Sequence, residues 1–226
     1  MTDKGVVLLS GGMDSAAVLA MAGKVHDTMY ALSFDYGQKH TAELDSATAV
    51  AEHYGAQHRI VSLPRFVFQG SGSALIEGDH EDMPQMSYEE IEDAQGPSPT
   101  YVPYRNGTFI STATAYALSV GASAVWAGMH AEDGHNFAYP DCTPEFIGAQ
   151  AAAMYVGSYH EVRLITPLEW MTKADVASYA VEHSVPLDLT MSCYEGTRPA
   201  CGTCPTCVGR LQAFENIGVD DPLEYA

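Results

Sequence analysis

The sequence predicts an α/β protein, with a doubly wound, Rossmann-like and mostly parallel sheet followed by a small C-terminal helical lobe. Strand-like and helix-like segments alternate along most of the chain, which favours a parallel sheet covered by helices on both faces. The apolar run at 6–9 breaks at Gly11 and Gly12 and enters an alanine-rich segment, as a buried strand does when it leads into a helix. Four of the five cysteines crowd near the C-terminus and mark the lobe.

The elements of the first half follow the apolar run in order. A helix is predicted over 16–25 and a strand over 29–34. A second helix is predicted because apolar side chains recur at the spacing of one helical face, namely at Leu44, Ala47, Ala51 and Tyr54. A strand over 58–63 completes this half.

Capping signals locate the helices of the second half, and a strand is predicted between them over 122–128. Each helix is expected to begin at a polar cap or at a first-turn proline. These starts are Asn106 for a helix to about Val120, Thr143-Pro144 for the next helix, Thr172 with Asp175 for a helix through Glu182, and Pro205 for a last helix that ends near Ile217 before Gly218.

The α/β pattern fails between Pro64 and Arg105. This stretch contains a glycine–serine turn at 70–73 and a glycine–proline turn at 96–99. It also contains two acidic patches, at 77–82 and 89–93. A connection of this length inside a compact domain usually has a function, and it would leave the sheet near the carboxyl ends of the strands, where ligands bind. We therefore interpret 64–105 as a lid or a wall of the substrate pocket, with a disordered insertion as the alternative that composition leaves open.

Length and composition restrict the class of protein. The 226 residues suit one α/β domain at 1–189 and a four-cysteine lobe at 190–226. A net charge of -19 opposes a phosphate backbone, so direct nucleic-acid binding is not expected. We interpret the acidity as a solvated surface, as in proteins of salt-adapted organisms or their viruses. The apolar segments are too short for a signal peptide or a membrane span, and the cysteines suit a reducing cytoplasm.

The segment Ser10-Gly11-Gly12-Met13-Asp14-Ser15 has the composition of an anion site. Glycines let the backbone fold around an oxyanion, and a helix start supplies free N–H groups and a positive dipole end. Serine hydroxyls add donors, and Asp14 is a candidate ligand for a Mg²⁺ ion that neutralises a polyphosphate. The motif of a P-loop is absent. The predicted nucleotide contacts are Leu9, Ser10, Gly11, Gly12, Met13, Asp14, Ser15 and Ala16.

The clustered cysteines follow the pattern C-x7-C-x2-C-x2-C. Four thiolates at this spacing match a closed tetrahedral zinc site, which leaves no position for a catalytic water. We therefore predict a structural Zn²⁺ ion at Cys193, Cys201, Cys204 and Cys207, with an iron–sulfur cluster as the alternative. The remaining Cys142 is interpreted as a small packed residue.

The loop is similar to the pyrophosphate loop of the N-type ATP pyrophosphatases, and together with the cysteine pattern the chain resembles the 7-cyano-7-deazaguanine synthase family of that superfamily. The order and spacing of several motifs carry the resemblance. These are the loop itself, Asp35-Tyr36-Gly37-Gln38-Lys39-His40, Val102-Pro103 with Arg105-Asn106, Tyr139-Pro140-Asp141-Cys142 with Glu145-Phe146, Thr166-Pro167-Leu168, Thr172-Lys173, Ser192-Cys193-Tyr194, and the last three cysteines with Arg210.

The resemblance implies an ATP-dependent carbon–nitrogen ligase of queuosine-type biosynthesis. The carboxylate of 7-carboxy-7-deazaguanine is adenylated, and free ammonia displaces AMP to form an amide. A second ATP activates the amide oxygen, and its elimination leaves the nitrile. The resemblance also implies a homodimer in the cytoplasm, but whether the product goes to tRNA or DNA stays open.

Site roles follow from the matching motifs. Asp14, Lys39, Arg105 and Lys173 are the predicted catalytic residues, where the cations face polyphosphate or the substrate carboxylate. Surface ion pairs are the alternative use of such cations. Asp133 and Asp141 are expected to accept from the amino and N–H groups of the guanine-like ring, and Tyr36 and Phe137 are expected to stack on it. The predicted substrate contacts are Tyr36, His40, Arg105, Asn106, Asp133, Phe137 and Asp141. For Asn106 and Asp141 a helix-cap or turn role is equally open.

Two departures from the family pattern leave other functions open. Tyr104 stands where relatives usually have glycine, and 134–138 is longer than usual and lacks a Ser-Gly pair. A paralogue that stops at the amide or uses a related deazapurine would fit these changes. A tRNA-thiolating enzyme would need a basic face, and a non-catalytic or deazaguanine-conjugating factor would be expected to lose Ser10, Asp14 or Ser15, which are all present.

Overall fold

A parallel sheet forms the centre of the computed structural model, which describes residues 3–79, 97–130 and 132–226. The strands of this described part lie in the order β3-β2-β1-β4-β5, and all neighbouring pairs are parallel. They are β1 (Lys4–Leu8), β2 (Thr28–Asp35), β3 (Gln57–Ser62), β4 (Ala124–Trp126) and β5 (Arg163–Ile165). The predicted parallel sheet is thus confirmed, and β5 is a strand that the sequence analysis did not predict.

Helices connect the strands and pack on both sides of the sheet. They are α1 (Met13–Ala22), α2 (Ala42–His53), α3 (Arg105–Val120), α4 (Pro144–Gly157), α5 (Lys173–Glu182) and α6 (Pro205–Ile217). Helix α1 begins before the predicted residue 16 because the glycine pair leads directly into its first turn.

Neighbouring residues of β1 show how the two faces are buried. Val7 packs in a core with α1, α2, α5 and α6, whereas Val6 packs in a second core with α3 and α4. Both valines are fully buried, because successive side chains of a strand point to opposite faces of the sheet. The sheet is therefore doubly wound, as predicted.

The strand order reverses beside β1. The chain runs outward through β2 and β3 and then returns to place β4 on the other side of β1. In open α/β sheets the connections after such neighbouring strands separate and leave a crevice at their carboxyl ends. The glycine loop after β1 opens into this crevice, so the topology places the predicted anion site at the usual ligand position.

Two of the predicted helix caps are confirmed. The Thr143 hydroxyl accepts a hydrogen bond from the backbone N–H of Phe146. Thr172 and Asp175 form a reciprocal capping box at the start of α5.

The predicted cap at Asn106 is wrong. The capping position of helix α3 is Tyr104, two residues before Asn106, and its side chain makes no cap hydrogen bond. The carboxylate of Asp141 accepts from the backbone N–H of Asn106 at 2.9 Å. A residue distant in sequence therefore satisfies this helix start, which a local pattern does not reveal.

The described parts of the predicted lid pack against the sheet. The backbone N–H of Lys39 donates to the carbonyl of Leu75, and that of Ala74 donates to Pro99. Leu75 and Ile76 belong to the core that contains α3 and α4. Most of the two acidic patches and the first residue of the 96–99 turn lie outside the described residues, so the role of 64–105 as a lid stays a prediction.

The last helix joins the cysteine segment to the main core. Ala213 and Phe214 of α6 pack in the same cluster as α1. The chain after α6 returns to pair Tyr225 with Ala200. No helix within the described ranges is long and apolar enough to cross a membrane.

Candidate functional site

The loop between β1 and α1 has the compact geometry of a phosphate-binding turn. Gly11 has a φ of +90°, and a Cβ atom there would lie 2.2 Å from the backbone oxygen of Glu43. Only glycine avoids both the strained backbone and this clash. The first turn of α2 is thereby pressed against the loop.

Serine hydroxyls hold the loop in shape. Ser15 Oγ donates to the carbonyl of Gly12, and it accepts from the backbone N–H of Ser10. Ser10 Oγ accepts from the N–H of Gly12 and lies 3.1 Å from Ser15 Oγ. The predicted loop residues are thus arranged around the start of α1, where helix N–H groups favour an anion.

Asp14 lies in a cluster of charged side chains that come from three separate segments. Its Oδ2 atom pairs with Lys173 Nζ at the start of α5 and lies 4.0 Å from His130 Nε2. Burial opposes the charge of Asp14, but Lys173 and His130 outweigh this cost and hold its pKa below the ordinary value. The other carboxylate oxygen, Oδ1, is buried without a hydrogen-bond partner. The predicted pair Asp14 and Lys173 is therefore brought together.

Two further residues join this cluster through the segment after β4. Asp133 lies 3.4 Å from His130 Nε2, and Glu132 accepts from the backbone N–H of Lys173. The sequence analysis missed His130 and Glu132, because neither belongs to a recognisable ligand spacing. Asp133 is a predicted substrate contact. In the structure its carboxylate lies beside His130, which in turn lies beside Asp14.

A pocket lies beside the phosphate loop at the carboxyl end of β2. It brings together four residues predicted at the site, namely Tyr36, Lys39, His40 and Arg105. Its wall is completed by Gln38, Glu43, Leu75, Cys193, Tyr194 and Gly196.

Arg105 connects the pocket to α3. Its Nη1 atom donates to the Tyr36 hydroxyl at 3.2 Å, and its guanidinium lies over the rings of Tyr36 and Phe109 at 5.8 and 6.0 Å. Burial raises the pKa of Tyr36, which therefore stays a neutral phenol. The guanidinium is held in place by aromatic contacts, and it shares the pocket with Lys39 and Glu43.

Glu43 is a pocket residue that the sequence analysis missed. Burial raises the pKa of its carboxyl group to about 7, although Arg105 and a hydrogen bond from Gln38 oppose this shift. The available signal is that Glu43 lies three residues after the end of the motif Asp35–His40.

Four predicted substrate residues do not line this pocket, namely Asn106, Asp133, Phe137 and Asp141. Asp141 is buried and accepts from Asn106, while Asn106 Nδ2 contacts the carbonyl of Asp141 and the sulfur of Cys142. Phe137 is 63% exposed. Burial raises the pKa of Cys142 well above its ordinary value, which agrees with a packed thiol and not with a nucleophile.

The four predicted cysteines converge. Their sulfur atoms all lie within 4.8 Å of one another. Backbone N–H groups of Tyr194, Cys201 and Cys204 donate to sulfurs of the cluster, and such donors stabilise thiolates. A tetrahedral zinc–thiolate site has sulfurs about 3.8 Å apart from Zn–S bonds of about 2.3 Å, so the cluster fits a metal ion of this kind.

The cysteine segment also forms part of the pocket wall. Gly196 has a φ of +64°, and a Cβ atom there would lie 2.5 Å from Cβ of His40. Tyr194, next to Cys193 of the cysteine cluster, lines the pocket. The shape of the pocket therefore depends on the fold of the cysteine segment.

Tyr104 adopts a left-handed conformation with a φ of +56°. Its ring meets Phe146 edge to face at 5.6 Å and covers Gly107. The Tyr104 ring, which replaces the glycine usual in the family, therefore packs on α3 and α4. Tyr104 does not line the pocket.

Comparisons with known proteins show what this chain is similar to. A family model described as "Queuosine biosynthesis protein QueC" matches residues 4–218. The 7-cyano-7-deazaguanine synthase of Thermoplasma acidophilum is 39% identical and covers 98% of this chain and 92% of that protein. The enzyme of the same name from Persephonella marina is 40% identical and covers 96% and 94%. A solved NMN synthetase from Francisella tularensis has a TM-score of 0.50 at 15% identity, covering 97% of this chain and 74% of its own, which shows the shared fold.

Proposed function

Because the chain belongs to the QueC family of queuosine biosynthesis proteins, we propose that it converts 7-carboxy-7-deazaguanine and ammonia to 7-cyano-7-deazaguanine in two ATP-dependent rounds. The family makes the chain an ATP-dependent ligase that acts on a small molecule. The observation that carries the proposal is the position of the phosphate loop beside a pocket with aromatic walls and a guanidinium. The two sites meet through the contact between Gly11 and Glu43.

The first round activates a carboxylate. A carboxylate oxygen of the substrate attacks the α-phosphorus of ATP, and pyrophosphate leaves with the electrons of the broken P–O bond. Ammonia then attacks the carbonyl carbon, a proton leaves the nitrogen, and AMP departs as the C–O bond breaks. The glycine loop holds the pyrophosphate, and Lys173 neutralises charge that develops there.

The second round removes water from the amide. The amide oxygen attacks the α-phosphorus of a second ATP and again releases pyrophosphate. Loss of the two N–H protons and cleavage of the C–O bond give the nitrile and AMP. Arg105 and Lys39 would orient the reacting carboxyl or amide group from the pocket side.

Two metal ions belong to the proposal. Asp14 would hold Mg²⁺, which would neutralise the polyphosphate; its buried Oδ1 atom lacks a partner and suits a cation. The cysteine cluster would hold Zn²⁺, which would fix the pocket wall that carries Tyr194.

The assembly and setting are proposals that rest on the family resemblance and on the composition of the chain. We expect a homodimer in the cytoplasm. We also expect no direct binding of nucleic acid, because the net charge of -19 repels a phosphate backbone. We also retain the division into an ATP-binding domain at 1–189 and a zinc lobe at 190–226.

Mass spectrometry of the incubated substrate tests the proposal. With 7-carboxy-7-deazaguanine, ATP and ammonium, the expected product has the mass of the nitrile, and accumulation of the amide would assign the chain to an enzyme that stops after one round. No product other than the free acid would contradict the proposal. Lys173→Met should abolish conversion, whereas Lys24→Met, at an exposed lysine bonded to Tyr179, should retain it.

A further inference from the structure

We propose that Glu43 is the specificity residue of the pocket, and that its carboxylate accepts hydrogen bonds from the ring N–H and the 2-amino group of the substrate. This inference rests on the proposed function, since it concerns the guanine-like edge of the same substrate. The sequence analysis had predicted Asp133 and Asp141 for this role. The structure points instead to a residue of α2.

The backbone of Glu43 is fixed relative to the nucleotide site. Its carbonyl oxygen packs against Gly11 so closely that a Cβ atom at Gly11 would lie 2.2 Å away. The side chain of the same residue lines the pocket with Tyr36, Arg105 and Tyr194. A substrate held by Glu43 would therefore keep a constant position relative to the phosphate loop.

The two other candidate carboxylates do not line the pocket and contact other groups. Asp141 accepts from the N–H of Asn106, and Asp133 lies within 3.4 Å of His130. Among the residues that line the pocket in the described part of the chain, Glu43 is the only carboxylate.

Gln38 sets the orientation of the Glu43 carboxylate. The Gln38 side chain accepts from the N–H of Tyr36 at 2.8 Å and donates to the carbonyl of Phe34 at 3.0 Å, so its amide cannot flip without losing both bonds. It also donates to Oε1 of Glu43 at 3.2 Å. A carboxylate has about four acceptor positions, so most of its capacity remains for a ligand.

The chemistry of the pocket matches a 2-amino-4-oxopyrimidine edge. Such an edge presents two parallel N–H donors, which a carboxylate accepts through its two oxygens. Tyr36 and Tyr194 supply aromatic surface for the ring. The Glu43 carboxylate accepts a hydrogen bond from Gln38 at Oε1, and the side chain borders the open space of the pocket.

The test compares two substrates in carboxylate-dependent exchange of pyrophosphate into ATP. One is 7-carboxy-7-deazaguanine, and the other is its analogue without the 2-amino group. The parent protein should prefer the amino compound in kcat/KM by at least about tenfold, because the analogue leaves a carboxylate oxygen without its donor. Glu43→Gln should reduce this preference to less than about threefold, since its amide nitrogen opposes a donor on the substrate.

Matched variants complete the experiment. Asp45→Asn removes an exposed carboxylate from the same helix and should keep the full preference. Glu43→Asp withdraws the carboxylate by one methylene and should lower the preference, which decides the question if the Gln variant does not fold.

The possible failures can be told apart. If the parent protein shows no exchange with the carboxylic acid, the proposed function is wrong. If exchange occurs and all Glu43 variants keep the preference, the role of Glu43 is wrong while the function stands. A fall in amide formation with an intact preference would also overturn it, because the carboxyl group would then act on the incoming nitrogen.

Discussion

Removing the charge of Asp221 should test how the cysteine segment is anchored to the core. Arg210 of α6 is fully buried, and its guanidinium forms a double hydrogen bond with Asp221, with Nε–Oδ2 at 2.7 Å and Nη2–Oδ1 at 2.9 Å. It also donates to Thr190, Ser192 and the carbonyl of Leu187. All five N–H groups of the guanidinium therefore have partners.

The structure sets the size of the effect. Side-chain exposure is 0% for Arg210 and 2% for Asp221, so Asp221→Asn leaves a buried guanidinium without its counter-charge. Breaking a pair of this kind costs about 3–5 kcal/mol, and the retained amide hydrogen bond places the expected loss near about 3 kcal/mol. The exposed pair of Arg65 and Glu77, at 70% and 59%, is the matched control, and Glu77→Gln should cost less than about 1 kcal/mol.

Urea unfolding followed by tryptophan fluorescence measures both variants. The free energy of unfolding is compared at an unchanged m value, because a changed slope would signal a different denatured state or loss of two-state behaviour. A loss below about 1 kcal/mol for Asp221→Asn, or a loss equal to that of the surface control, would refute the argument from burial.

Three further predictions follow from the site. Gly11→Ala should destabilise the protein by more than about 1 kcal/mol and abolish pyrophosphate exchange, because a methyl group would meet the Glu43 carbonyl; normal exchange would contradict this. Burial raises the pKa of Glu43 to about 7 from an ordinary 4.5, so its contribution to stability is complete below the lower value and is lost as the pH rises through the higher one. When the pH is raised from about 5 to about 8, the free energy of unfolding should therefore fall less in Glu43→Gln than in the parent protein. An equal fall in both proteins would contradict the raised pKa of Glu43. A strong zinc chelator should lower the unfolding temperature and weaken substrate binding in titration calorimetry, and a purified protein without zinc by elemental analysis would exclude this outcome.

Local signals carried most of the correct predictions. The loop after β1, the capping box at Thr172 and the cysteine cluster each lie within a short stretch of sequence. Their geometry depends on turns and spacings between near neighbours, so residue types alone indicate them. The doubly wound sheet also follows from alternating strands and helices, because few topologies accommodate that alternation.

The errors arose where distant segments meet. Asn106 was predicted as a cap, but the acceptor at that helix start is Asp141, which comes from another turn. Strand β5 has three residues, which is too short for a periodic pattern to indicate a strand.

The sequence by itself determined that this protein has a doubly wound sheet, a glycine–serine loop after its first strand and a cluster of four cysteines that could hold a metal ion. Only the tertiary structure decided that His130, Glu132 and Asp133 join Asp14 and Lys173. It also decided that Glu43 lies in the pocket beside Tyr194. The physical reason is that separate strand ends and loops converge at one edge of a parallel sheet, and this convergence depends on how the whole chain crosses over.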